Sequence, residues 1–162
     1  MQLPEDLPAT LRSLRSRPLF VMRLDVKPLQ IVGATPAALR RIGVVPGGVF
    51  EGERLSGVVL DGASDWQSVR NDGATTLNVR LVLKTNDDAL IAMTYLGIRH
   101  GPADVIAKLE RGEAVDAASY YFRINASFET AAAKYDWLNR ILAVGIGHRR
   151  AGGPVYSMFE VL

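Results

Sequence analysis

Hydrophobic and polar residues alternate with period two along most of this chain. Between Leu19 and Lys27, Phe20, Met22, Leu24 and Val26 fall on one side and Val21, Arg23 and Asp25 on the other, as in a half-buried strand. Further strand-like runs cover residues 49–60, 63–71, 74–86, 89–101 and 120–128, and a final pair covers 141–150 and 155–162. Asp61-Gly62 and Asp72-Gly73 read as two-residue hairpin turns, whose central positions need positive φ, and Asp87-Asp88 as a third. Together they predict an antiparallel meander of four strands over residues 49–101. Pro102 ends it, and Ala103–Arg111 reads as a short helix with Val105, Ile106 and Leu109 on one side and Gly112 as its stop. Residues 37–41 fit either a helical turn or the approach to a strand. In 129–140, Ala131-Ala132-Ala133 favours helix while Trp137-Leu138 could open a strand. About eight or more strands with one short helix predict an all-β domain, a closed antiparallel barrel or a sandwich, over residues 17–162 behind a lead-in at 1–16.

Register follows from the turns. With a two-residue loop at Asp72-Gly73, Asp65 faces Arg80 and Trp66 faces Val79. The same count across Asp87-Asp88 sets Arg80 opposite Tyr95, and across Asp61-Gly62 it sets Trp66 opposite Gly57. One face then carries Trp66, Leu77, Val79, Leu81, Leu83, Leu96 and Ile98. The other carries Asp65, Gln67, Asn78, Arg80, Tyr95 and Arg99, among others, as either the wet side of a sheet or the lining of a barrel. The row Asp65–Arg80–Tyr95 is open to two readings as well. It is a cross-strand ion pair, or a place where Arg80 holds an anionic ligand that Tyr95 and Asp65 orient.

Composition narrows the class without naming a chemistry. The 162 residues are 48% hydrophobic and 22% charged, which fits one globular domain. Net charge is only +2, so no nucleic-acid partner is expected; the basic Arg12, Arg15 and Arg17 read as an exposed lead-in. Cysteine is absent, which removes disulfides and thiolate chemistry. The acidic start, Met1–Asp6, has no apolar core of a secretory signal, and no apolar run nears the ~20 residues of a membrane span. A cytoplasmic location without membrane partners is the expectation.

Motifs for known chemistries are missing. No P-loop occurs, and Gly145-Ile146-Gly147 lies on a hairpin rather than between strand and helix, where its glycines would let a neighbouring strand or ring approach closely. His100 with Asp104, and Asp87 with Asp88, are too sparse for a metal site, so no metal and no cofactor are expected. Gly-x-Ser-x-Gly is absent.

Several runs carry a resemblance. Arg41 to Gly52, Gly62-Ala-Ser-Asp-Trp66, Val69 to Gly73, Tyr121-Phe-Arg123, Phe128-Glu-Thr130 and Tyr135-Asp-Trp-Leu-Asn139 resemble the domain-of-unknown-function 3237 family, an uncharacterised bacterial family, over about Arg17 to Leu162. The resemblance implies a compact antiparallel β-barrel and no established activity. It draws attention to Asp65, Trp66, Arg70, Asp72, Arg80, Tyr121, Arg123, Trp137 and Asn139. Asn78 stands where the family more usually has aspartate, which counts against a two-acid mechanism through positions 65 and 78. Ala126 replaces an expected proline, and Ala131–Ala133 a more loop-like stretch.

The expected function is the binding of a small anionic or aromatic organic molecule inside the barrel, with Asp65, Arg80, Tyr95, Arg123, Trp137 and Asn139 as candidate ligand contacts. One alternative is a metal-independent isomerase, cyclase or lyase using the same cavity. Another is a structural homo-oligomer with no ligand.

Overall fold

Eleven strands carry the alternating runs in the computed structural model, which describes residues 7–162. They are β1 Ser16–Asp25, β2 Gln30–Ala34, β3 Leu39–Val45, β4 Gly47–Glu51, β5 Ser56–Val59, β6 Ala63–Val69, β7 Thr75–Thr85, β8 Leu90–His100, β9 Tyr121–Glu129, β10 Ala143–Arg150 and β11 Gly153–Val161. All pairings are antiparallel, and the circuit β7-β5-β4-β1-β11-β10-β9-β8 returns to β7, closing an eight-stranded barrel. Closure leaves those strands no free edge. The segment β6 takes the edge of β7 beyond β5, and β3 and then β2 pair onward from it, so the wall is extended beside Thr75. The acidic start at Met1–Asp6 lies outside the described residues. No helix among them is long and apolar enough to cross a membrane.

Inward positions supply a continuous core. Met22 and Leu24 of β1, Val79 and Leu83 of β7, Ile91 and Met93 of β8, Phe122 and Ile124 of β9, and Tyr156 and Met158 of β11 are all buried. On β10 the inward side is Ala143, Gly145 and Gly147. A Cβ on Gly147 would come within 2.6 Å of the Phe122 ring, so glycine there is what lets the aromatic pack, as the sequence suggested. The short helix α1, Ala103–Glu110, lies at the barrel end where β8 stops. A 3₁₀ helix at Ala133–Arg140 closes the other end with buried Tyr135 and Leu138. Gly112 ends α1 with φ +76°, as expected.

The register differs from the turn count by one residue at two places. Asp65 pairs with Val79 rather than Arg80, and Tyr95 likewise pairs with Val79. The cause is loop length. Arg70 N–H donates to Ala74 O and Gly73 N–H to Arg70 O, so the loop is Asn71-Asp72-Gly73, with Gly73 at φ +83°. Thr85, Asp88 and Ala89 repeat the pattern, with Asp88 at φ 66°. Both are three-residue hairpins, a type I turn followed by one left-handed residue. The Asp72 carboxylate accepts from the Ala74 amide, and the Thr85 hydroxyl from the Ala89 amide. Asp61-Gly62 is no hairpin; it bends the chain between β5 and β6, which share one edge of β7. Residues 49–60 hold two strands rather than one, because Gly52–Leu55 turns β4 into β5.

The face assignment changes accordingly. Leu77, Val79, Leu81 and Leu83 point inward together with Asp65, Gln67, Met93, Tyr95 and Arg99, while Asn78, Arg80 and Val82 point out. Trp66 and Leu96, expected in the core, are 51% and 52% exposed, and the Trp66 indole donates to Ser64 Oγ at 3.2 Å. The two replacements therefore separate sharply in denaturant unfolding. Leu83→Ala, at a fully buried site, should cost roughly 2–5 kcal/mol. Trp66→Ala should cost less than about 1 kcal/mol. Comparable losses at both positions would refute the observed register.

Candidate functional site

Four polar side chains on the inner face of the extended wall are buried beside the apolar core. Gly43 and Arg41 of β3 stand opposite Asp65 and Gln67 of β6, and Arg99 of β8 stands opposite Thr75 at the start of β7. They open into a cavity of about 240 Å³ whose other walls include Tyr95, Phe122, Arg149 and Tyr156, with Leu109 and Glu110 of α1 at its rim. That volume lies just under the ~300–1,000 Å³ usual for small-molecule sites.

Hydrogen bonds fix part of this cluster. Arg41 donates through Nε to Gln67 Oε1 and through a terminal nitrogen to Glu110 Oε1, each at 2.8 Å. Gln67 Nε2 donates to Asp65 Oδ2 at 2.6 Å. A chain of polar contacts thus runs from α1 across β3 to β6 and holds the Asp65 carboxylate in one orientation. The Tyr120 hydroxyl accepts from the Arg149 amide at 2.8 Å and lies 3.1 Å from His148 Nδ1, which anchors the strand end carrying Arg149.

Other groups are left open. Asp65 Oδ1 and Arg99 Nε are buried with no hydrogen-bond partner. Arg99 is 6% exposed and forms no ion pair among the described residues, and its guanidinium sits 5.6 Å from the centre of the Phe122 ring. Tyr95 donates its hydroxyl to Tyr156 at 3.4 Å, which leaves the Tyr156 proton without an acceptor among the described residues. Unfilled polar groups in low dielectric are costly, so their convergence on one cavity demands an explanation.

Electrostatics follow from burial. Loss of solvent raises the Asp65 pKa to about 6, although the Gln67 hydrogen bond, Arg99, the Asn78 amide and Arg41 all pull the other way. Burial raises the Tyr95 and Tyr156 phenols well above their ordinary range, so both keep their protons at neutral pH. Burial, then the neighbouring Arg41 and Arg149 charges, lowers the Arg99 guanidinium from a value high enough that it remains a cation. Three guanidiniums against Asp65 and the paired Glu110 leave the cavity positively biased.

Of the residues expected to contact a ligand, Asp65 and Tyr95 meet in this cavity. Arg80 projects from the outer surface of β7. Arg123 lies outside the barrel, where it donates to Phe122 O and sits 4.9 Å from the Tyr121 ring centre. Trp137 and Asn139 belong to the 3₁₀ helix at the far end. There Arg54 stacks on Trp137 at 3.9 Å, and Asn139 exchanges hydrogen bonds with the Thr130 backbone. Asn78 faces outward, so an acid at that position would not pair with Asp65 inside the barrel. Asp87 accepts from Thr85, Lys134 and Tyr135 and fastens a loop to the 3₁₀ helix.

Arg41, Arg99, Arg149 and Tyr156 were not singled out as ligand contacts. Arg99 had a signal, because period two places it on the same face as Tyr95. Arg41 alternates with Gly43 and Val45 along β3, but nothing local aligns that strand with β6.

Residues 14–161 match the family described as Protein of unknown function (DUF3237). The chain belongs to this family. Its DUF3237 relatives include a UPF0311 protein of Rhodopseudomonas palustris, 33% identical over 93% of this chain and 98% of that one, whose crystal structure superposes with a TM-score of 0.90. A β-barrel-like protein from Acinetobacter baumannii is 35% identical, with a TM-score of 0.82 over 98% of this chain and all of that one. An enzyme from Penicillium herquei shares 19% identity at a TM-score of 0.70, covering 92% of this chain and 95% of that one, which is a likeness of fold.

Stability should report the buried carboxyl. Asp65 binds its proton more tightly in the folded protein, at about 6, than in the unfolded chain at ~3.9. Its contribution is therefore present below pH ~4 and lost as pH rises through 6. Asp65→Asn removes that loss, so the variant should gain roughly 2–3 kcal/mol relative to wild type between pH 4 and pH 8. A difference that stays constant across this range would contradict the burial of Asp65.

Proposed function

We propose that the cavity binds a small organic molecule through an anionic oxygen group such as a carboxylate. The observation that carries this reading is Arg99, a buried cation with no acceptor on Nε and no ion-pair partner among the described residues. A charge held in low dielectric without a hydrogen-bonded counterion is expensive, and an entering anion relieves that cost. A planar guanidinium can take a carboxylate through two parallel hydrogen bonds. Arg149 adds charge from the adjoining wall, whereas Arg41 is already engaged by Gln67 and Glu110. Phe122, Leu77 and Tyr156 offer apolar surface for the rest of a small, flat molecule.

The Rhodopseudomonas and Acinetobacter structures support the barrel frame, and the relatives' names assign no ligand. On this reading the charge sits on a different set of arginines from the one expected from the sequence. Arg99 and Arg149 take the place of Arg80 and Arg123, and the ligand class stays the same.

Thermal unfolding with paired probes tests the reading. Phenylpyruvate, acetoacetate and benzoate should raise the unfolding midpoint of wild type, and at least one should do so by several degrees at millimolar concentration. Their uncharged amides or methyl ketones should not. The shift should vanish in Arg99→Met, which keeps an unbranched apolar stem and removes the charge. Equal shifts for acids and neutral analogues, or shifts that survive Arg99→Met, would refute an anion site at this position.

A further inference from the structure

Beside Arg99, the cavity holds a base and an acid that each keep one hydrogen-bonding position open among the described residues. Asp65 is fixed by Gln67 through Oδ2 and lies near the Asn78 amide, while its Oδ1 is a buried acceptor with no hydrogen bond of normal geometry among the described residues. Tyr156 receives the hydrogen bond from Tyr95, so its own O–H is free to donate inside the same cavity. A plain anion receptor has no use for the carboxylate, whose negative charge opposes the bound anion. Proton transfer uses all three groups.

We propose that the site catalyses proton transfer at a carbon next to a carbonyl, with a small keto acid as substrate and Asp65 as the catalytic base. The inference rests on the anion-site reading above, since Arg99 is what holds the substrate carboxylate. In the first step the C–H bond adjacent to the carbonyl breaks and its proton forms an O–H bond with Asp65 Oδ1. The electron pair of that C–H bond becomes the carbon–carbon double bond of an enolate, and the carbonyl oxygen takes the negative charge. The Tyr156 O–H donates a hydrogen bond to that oxygen, and the Arg99 charge stabilises it further. In the second step Asp65 returns its proton to the same carbon, to the enolate oxygen or to a conjugated carbon. Return to the same carbon gives exchange with solvent protons, and the other two outcomes are tautomerisation and a double-bond shift. Electrons are conserved throughout, and no oxidant or co-reactant enters.

The geometry suits this division of labour. Asp65 and Tyr95 occupy one cross-strand row through Val79, and Tyr95 hands its hydrogen bond to Tyr156 on the opposing wall. Base and donor therefore reach the cavity from different strands, with Arg99 further along β8. A carboxylate titrating near 6 is ionised for most of the time at neutral pH, yet is basic enough to accept a carbon-bound proton.

Deuterium exchange provides the test. Phenylpyruvate, 2-oxobutanoate and acetoacetate are incubated with the full chain in heavy water at pD 7.5, and loss of the proton signal adjacent to the carbonyl is followed by NMR against a protein-free control. Any probe whose binding raises the unfolding midpoint should exchange faster with wild type than with buffer. Asp65→Asn should lower the protein-dependent rate by at least ~100-fold, the usual size of a general-base contribution, while still showing the midpoint shift. Tyr156→Phe should lower it by ~100-fold, the usual size of one oxyanion donor, and also retain binding. Binding without exchange above the control, or exchange that is equal in wild type and Asp65→Asn, overturns the proton-transfer inference and leaves the anion site standing. If no probe binds in an Arg99-dependent way, the anion site fails and the inference fails with it.

Discussion

Strand β7 is hydrogen-bonded along both edges, to β5 and β6 on one side and β8 on the other, and its register with them decides what the barrel contains. In the observed register its leucines and Val79 fill the interior, and Arg80 and Asn78 face outward. A shift of one residue would exchange these sets and bury Arg80 against the aromatic core. Two three-residue loops, each closed by a left-handed residue, hold the strand in place. Asp65, Tyr95 and Arg99 are inward on the neighbouring strands because those strands are locked to β7.

The barrel is divided along its axis. Toward the Ala133–Arg140 helix the interior is apolar, with Phe20, Phe50 and Phe128 in edge-to-face contact. The buried carboxylate at that end, Glu160, is matched by Arg17 and Arg54, and the Arg17 hydrogen bond leads in holding its pKa down. Toward α1 the matching is incomplete: Arg41 has Gln67 and Glu110, whereas among the described residues Arg99 forms no ion pair and Asp65 Oδ1 accepts no hydrogen bond of normal geometry. The chain pairs its charges where it needs structure. The exception coincides with the cavity, which is why the exception is informative about function.

Much of this was legible in the amino-acid pattern. The strands over 19–27, 74–86, 89–101 and 120–128, the helix at 103 and its glycine stop all follow from local periodicity and turn chemistry. The relation between Asp65 and Tyr95 was also within reach: the loop-length errors at Asp72-Gly73 and Asp87-Asp88 have the same sign, so they cancel across β7 and leave the outer two strands correctly aligned. Only the middle member of the row changed, from Arg80 to Val79. The errors arose because a residue able to take positive φ, Gly73 in one loop and Asp88 in the other, fits both two- and three-residue hairpins, and because β6 inverts the usual signal. Its buried positions are the small Ala63 and the polar Asp65 and Gln67, and its exposed position is Trp66, so hydrophobicity pointed to the wrong face. A strand that buries polar residues to build a site reads inside out. Arg149 and Tyr156 were beyond reach for another reason, because barrel closure brings them to the cavity from strands far away in the chain, and Arg41 because the pairing of β3 with β6 has no local signal.

Everything at the site depends on Asp65 being an inward, desolvated carboxyl in the barrel mouth. Its titration can be followed by carboxyl ¹³C NMR, with the signal assigned by its disappearance in Asp65→Asn. The expected midpoint is close to 6, set by burial against the pull of Gln67 and Arg99. A midpoint near ~3.9, the value of a solvated aspartate, would contradict it.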